Sequence, residues 1–203
     1  MFELFPQENE PFCPSLTDGE LYYHPSFLES KEADRLYNNL YNATPWQADK
    51  IKVFGKTYDQ PRLTALYAID QTPYTYSNIT MHPHLMTASL FDLIKKINTV
   101  NDARFNAVLL NLYRDGKDSN GWHADNETAL GQNPVIASIS LGEERYFHLK
   151  HKTHKEQRLK IKLKHGSLLI MGGAMQHHWL HQIPKTTRPI APRINLTFRK
   201  LIQ

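Results

Sequence analysis

The chain has 203 residues, enough for one domain that buries its core without disulfide or metal staples. Its 40% hydrophobic and 22% charged residues describe a soluble globular protein, and no apolar run approaches the roughly 18 residues of a membrane span. The net charge of +4 is only a weak sign of polyanion binding, and the single cysteine, Cys13, excludes both an internal disulfide and a thiolate zinc cluster.

The N-terminal MFELFPQENE lacks a basic stretch and a long apolar run, so no secretory signal is expected. From Ser30, SKEADRLYNNLYNATPW predicts a helix capped by Ser30. Leu36, Tyr37, Leu40 and Tyr41 lie on one face, and Pro45 ends it. Short strands and turns follow, with IKVFGK at residues 51–56 and PYTYS at 73–77. From Pro83, PHLMTASLFDLIKKINTV predicts a second helix, since Leu90, Leu93, Ile94 and Ile97 recur at helical spacing. After residue 104 the period becomes two. FNAVLLNLYRD, PVIASISLG, RYFHLKHK, RLKIKLK, GSLLIMGG and RINLTFRKL all read as strands with no helix between them. The expectation is one α+β domain over residues 1–203. Helices and a hairpin layer run to about residue 103, and a jelly-roll β core begins at about 104.

WHADNE places His123 and Asp125 two apart, able to face one way at a strand end. Chance alone supplies about one His-x-acid pair in such a chain, and a second exists in His154-Lys155-Glu156. That second pair sits among lysines at a predicted hairpin tip, where a cation would meet like charge, and reads as solvated surface. A third ligand is expected from QHHWLHQ. His178 and His181, three apart, should point oppositely if extended, so at most one joins. Two histidines and a carboxylate suit either the facial triad of non-haem Fe(II) oxygenases or catalytic zinc. In RINLTFR, Arg193, Asn195, Thr197 and Arg199 alternate with Ile194, Leu196 and Phe198. Such a polar face suits an exposed edge strand. Turned inward, it suits a clamp for a dicarboxylic acid, because guanidinium forks hold carboxylates bidentately.

His123-x-Asp125, His181 and RINLTFR together resemble the AlkB family of iron- and 2-oxoglutarate-dependent dioxygenases over most of residues 50–203. NLYRDG, HGSLL, HWLHQIP and APRINLTFRK look closest to the branch that repairs duplex DNA, that of the second mammalian AlkB homologue. The resemblance implies a double-stranded β-helix, with Fe(II) held by His123, Asp125 and His181 and with O2 and 2-oxoglutarate as cosubstrates. It implies that Asn111 and Tyr113 bond 2-oxoglutarate, that Arg193 pairs with its distal carboxylate beside Asn195 and Thr197, and that Arg199 lies near the chelating end. The implied reaction hydroxylates N-methyl groups of 1-methyladenine or 3-methylcytosine in DNA, releasing formaldehyde and succinate. The alternatives are the same chemistry on RNA and a non-catalytic module that binds damaged DNA.

A base must leave the duplex to reach an enclosed metal. Phe54 beside Gly55 and Lys56 is the expected wedge for the gap, matching a Val-Phe-Gly finger in the related branch. Tyr74 and Tyr76 are expected to face the flipped base, although the related branch carries Phe at the second position. Glu127 is expected to attract a cationic methylated base or support the metal loop. Between Lys150 and Lys164 there are seven basic residues and one acid. Lys150, Lys152, Lys155 and Arg158, with Lys185 and Arg188 as a second patch, are expected to follow phosphates. The partner is expected to be alkylated duplex DNA, with single-stranded DNA or RNA as alternatives. The protein is expected to be monomeric and off the membrane, cytoplasmic in a bacterium or nuclear in a eukaryote.

Overall fold

The computed structural model describes residues 10–53, 56–70, 74–76 and 79–202, with the backbone alone for 51–53, 56–57, 74–76 and 79–81. In chain order the elements are β1 (Glu20–His24), α1 (Ser30–Ala43), β2 (Lys50–Val53), β3 (Lys56–Asp59), β4 (Leu63–Ala68), β5 (Tyr74–Tyr76), β6 (Ile79–Met81) and β7 (His84–Leu85). Then come α2 (Ala88–Ile97), β8 (Ala107–Tyr113), β9 (Asn120–His123), β10 (Ile136–Gly142), β11 (Arg145–His151), β12 (Arg158–Leu163), β13 (Ser167–Gly172), α3 (Met175–His178), β14 (Trp179–Ile183) and β15 (Arg193–Arg199).

Both long helices form for the reason their spacing gives. Leu36 and Leu40 of α1, and Leu90, Leu93, Ile94 and Ile97 of α2, are the buried stripes. Ser30 is not the cap of α1, however. Glu29 occupies that position without a side-chain hydrogen bond, and Ser30 is already helical. In α2 the cap is Thr87, whose side chain accepts from the Leu90 amide, so the helix starts later than Pro83. The residues before it form β7, which runs parallel to β4.

The strands make a seven-stranded sheet, ordered β1-β13-β10-β15-β8-β4-β7, and a four-stranded sheet, ordered β12-β11-β14-β9. Together they are the double-stranded β-helix of the α+β expectation. Three strands of the larger sheet, β1, β4 and β7, come from the first half of the chain. A short helix, α3, interrupts the β region, which the strand-period reading did not anticipate.

The larger sheet is covered on both faces. Val108, Leu110 and Leu112 of β8 and Ile194, Leu196 and Phe198 of β15 meet the helices in one core. The other face of the sheet meets Phe147, Leu149, Trp179 and Ile183 of the smaller sheet in a second core. Every residue of β15 is therefore buried, and the edge-strand alternative for RINLTFR is excluded. Its polar residues share a face with Asn111 and Tyr113 of β8, which lie opposite Asn195 and Arg193 in register. All four point between the sheets, where a pocket opens.

Leu196 is completely buried on the helix side of β15. Leu196→Ala is expected to lower unfolding free energy by about 2–5 kcal/mol, read as a shift of the urea midpoint at unchanged slope. A shift under about 0.5 kcal/mol would contradict this packing.

Candidate metal centre

Pairing of β9 with β14 sets His123 directly opposite His181, and β14 alternates so that Trp179, His181 and Ile183 point inward. The two imidazoles lie edge to face, centroids 4.2 Å apart, with Phe147 beside His181 at 5.2 Å. His123 Nδ1 donates to the Gly121 carbonyl at 2.7 Å, which leaves the Nε2 lone pair free for other partners. That Nε2 lies 3.8 Å from Asp125 Oδ1. Asn120 Nδ2 donates to the same Nε2 at 3.1 Å, so a metal ion taking that lone pair displaces the amide.

Asp125 stands in the irregular segment just past β9. Gln176 of α3 holds it there, its side-chain oxygen accepting from the Asp125 amide at 2.9 Å. One donor atom from each of His123, Asp125 and His181 lies within 4.8 Å of the other two. A first-row divalent ion with bonds of about 2.1 Å needs ligand atoms roughly 3–3.5 Å apart, so a small inward movement completes the set.

The charge states suit a cation. Burial drives His181 down to about 3, reinforced by His123, so its imidazole is neutral at neutral pH. Burial also lowers His123, with Asp125 opposing. Burial alone would raise Asp125, but Arg199, His181 and His123 outweigh it and bring the carboxyl to about 2. Arg199 Nη2 stands 3.0 Å from Asp125 Oδ1.

Across the pocket, the fully buried Arg193 donates through Nη2 to Ser140 Oγ at 2.8 Å and to Asn195 Oδ1 at 2.9 Å. Asn195 in turn donates to Thr197 Oγ1 at 2.7 Å. The Tyr113 ring lies 5.2 Å from the guanidinium carbon. Nε and Nη1 of Arg193 have no acceptor among the described residues. Burial lowers Arg193 to about 10, which leaves it a cation at neutral pH. A buried guanidinium with free N–H groups and no carboxylate of its own is the complement of an anionic ligand. Asn111 and Tyr113 line the same pocket as the three metal-binding candidates.

Other candidates fall elsewhere. Glu127 is half-buried with Oε2 lacking a partner among the described residues. Burial raises its pKa, against the pull of Arg199. Phe54 and Gly55 lie outside the described residues, and Lys56, Tyr74 and Tyr76 are described by backbone alone, on β3 and β5. Lys155, Arg158, Lys185 and Arg188 are exposed. Lys150 Nζ lies 4.2 Å over the Trp122 ring. Lys152, just past β11, is exposed, and its ammonium donates to the His177 carbonyl of α3 at 2.5 Å. His154 and Glu156 are a solvated surface pair, as expected.

His178 stays out of the site because it ends α3, not because an extended strand turns it away. It joins Asp18 and His151 in a second metal-like trio. The tautomer argues against a metal there. His151 Nδ1 accepts from the amides of Thr153 and His154 at 3.2 and 3.0 Å, so its proton sits on Nε2, facing Asp18. Sequence reasoning missed Asn120, Gln176, Ser140 and the buried Arg62, whose parts arise only through space.

A metal triad and a buried arginine with two N–H-bearing atoms left without acceptors among the described residues, inside a double-stranded β-helix, define an iron- and 2-oxoglutarate-type oxygenase core. The chain matches the 2OG-Fe(II) oxygenase superfamily over residues 20–199 and belongs to it. It is 44% identical over 184 residues to the alpha-ketoglutarate-dependent dioxygenase alkB homolog 3 of Bos taurus, covering 86% of this chain and 64% of that protein. It is 36% identical over 181 residues to the DNA oxidative demethylase ALKBH2 of Mus musculus, covering 84% and 76%. It thus belongs to the AlkB homologues, with higher identity to this third homologue than to this second one. The solved OsALKBH1 structure shares the fold, with a TM-score of 0.60 at 17% identity over 93% of this chain and 99% of that one.

A pH effect on the metal-free protein follows. The folded value of His181, about 3, lies below its ordinary 6.5, so the unfolded chain binds the proton first as pH falls. Stability is therefore lost from about pH 6.5 downward, and Asp125 adds its own loss only below its ordinary 3.8, towards 2. Melting temperature should fall between about pH 7 and 4, less steeply in His181→Gln. Parallel curves for the two proteins would exclude His181 as a source.

Proposed function

We propose that this chain is an Fe(II)- and 2-oxoglutarate-dependent dioxygenase that removes N-methyl groups from 1-methyladenine and 3-methylcytosine in DNA. The observation that carries the reading is a single pocket with His123, Asp125 and His181 on one wall and, on the other, Arg193, whose Nε and Nη1 lack acceptors among the described residues. DNA as substrate is supported by the 36% identity to relatives named DNA oxidative demethylases. The chain spans only 64% of the length of the alkB homolog 3 relatives.

In this reading His123, Asp125 and His181 hold Fe(II). Arg193 takes the distal carboxylate of 2-oxoglutarate beside Asn195 and Thr197, Asn111 and Tyr113 bond the cosubstrate, and Arg199 steadies Asp125. When bound, the iron supplies the chemistry that couples decarboxylation of 2-oxoglutarate to succinate with insertion of one O2 oxygen into the methyl C–H bond. The N-hydroxymethyl product then expels formaldehyde. The protein's share is positional. Neutral imidazoles leave lone pairs for the metal, and an ionised Asp125 offsets its charge. Glu127 stands two residues past Asp125, where its carboxylate would favour a cationic methylated base.

Formaldehyde and succinate release from methylated oligonucleotides tests the reading. His181→Ala should lower release by at least about 100-fold while nucleic-acid binding persists, and sustained turnover would refute the triad. Comparing methylated duplex, single strand and RNA decides the substrate. Higher turnover on RNA would replace DNA in the proposal, and absence of turnover on all three would leave a binding module.

The exposed Lys155, Arg158, Lys185 and Arg188 are proposed to follow the phosphates. Serine at two of these should lower the slope of log affinity against log salt by about 0.9 per lost duplex contact, for every sequence alike. An unchanged slope would remove them from the interface.

A further inference from the structure

Arg62, just before β4, is 3% exposed and belongs to none of the roles above. Its Nε donates to Asn111 Oδ1 at 2.7 Å, and Nη1 points to the Ser119 carbonyl at 3.4 Å. The Ser119 amide in turn donates to the Pro61 carbonyl at 2.9 Å, so the backbone beside the guanidinium is itself fixed. Asn111 is 4% exposed, pairs in register with Thr64 and Asn195, and lines the pocket.

An asparagine amide has one accepting end and one donating end, and turning it over exchanges them. A guanidinium can only donate. Arg62 therefore fixes the accepting end of Asn111 against itself and leaves Nδ2 for the pocket. The oxygens of 2-oxoglutarate accept and never donate. With the amide reversed, Asn111 would set oxygen against oxygen and lose its bond.

We infer that Arg62 is a positioning residue that selects the amide orientation with which Asn111 bonds 2-oxoglutarate. The inference rests on the cosubstrate reading proposed above. It assigns Arg62 no contact with the cosubstrate itself, so its effect passes through Asn111. Removing the arginine frees the amide to turn and to spend its donors elsewhere.

The test is a double-mutant cycle on Mn(II)-loaded protein, with 2-oxoglutarate titrated calorimetrically so that no turnover is needed. Melting temperature and Mn(II) affinity are recorded for each variant. Arg62→Leu should weaken 2-oxoglutarate about 10- to 100-fold, and Arg62→Lys should recover part of the loss. In an Asn111→Ala background, Arg62→Leu should have almost no further effect. Parent-like affinity in Arg62→Leu would overturn the inference, as would an equal loss with and without Asn111, which marks a direct contact. If Arg62→Leu fails to fold or to bind Mn(II), the cycle is run with Arg62→Gln and judged by the same outcomes. Arg193→Leu separates the two levels. If it weakens 2-oxoglutarate while Arg62→Leu does not, only the inference falls. If Arg193→Leu binds like the parent, the cosubstrate reading falls and takes the inference with it.

Discussion

A cation buried in protein has to be answered by negative charge or by a dense set of dipoles, and β15 carries two such cations on one face. Arg199 is answered by Asp125 at 3.0 Å. Arg193 is answered by the side-chain dipoles of Ser140 and Asn195 and by the Tyr113 ring. The desolvation of a charge costs several kcal/mol. The opposite face of the same strand offsets it, since Ile194, Leu196 and Phe198 are completely buried against the helices. The strand is thus an anchor on one side and a ligand-facing surface on the other.

Asp125 links this strand to the rest of the centre. It faces His123, His181 and Arg199 through its carboxylate and Gln176 through its amide. Gln176 lies on α3, and the Trp179 indole at the end of that helix donates to the Thr17 carbonyl at 2.9 Å. The segment ahead of β1 is therefore fastened to the element that steers a metal-binding candidate. The His151–Asp18 contact adds a second fastening at the same place.

Much of this was legible in the sequence because the informative signals were periodic or compositional. The stripe of Leu90, Leu93, Ile94 and Ile97 gave α2, and the alternation in RINLTFR gave both faces of β15. Less legible were strands lacking a long apolar alternation. NGWH of β9 is four residues with a glycine, and WLHQI of β14 follows directly on the helical turn MQHH. The expectation that at most one of His178 and His181 joins the site holds, with His181 singled out by resemblance, although α3 rather than an extended strand carries His178 away. Arg62 and Gln176 left no signal, since each acts on a partner about fifty positions away. The higher identity to alkB homolog 3 than to ALKBH2 is a property of alignments over 184 and 181 residues and was likewise invisible in the short motifs.

The position of β15 has a consequence for how the molecule is made. It lies between β10 and β8, yet it follows every other described strand in chain order and so leaves the ribosome after them. Until residues 193–199 emerge, both neighbouring strands keep an open hydrogen-bonding edge with buried-type side chains on either face. Closure is then a late, long-range event in which one segment unites two halves of a sheet. The nascent chain is most exposed to mispairing and aggregation in the interval before that strand arrives.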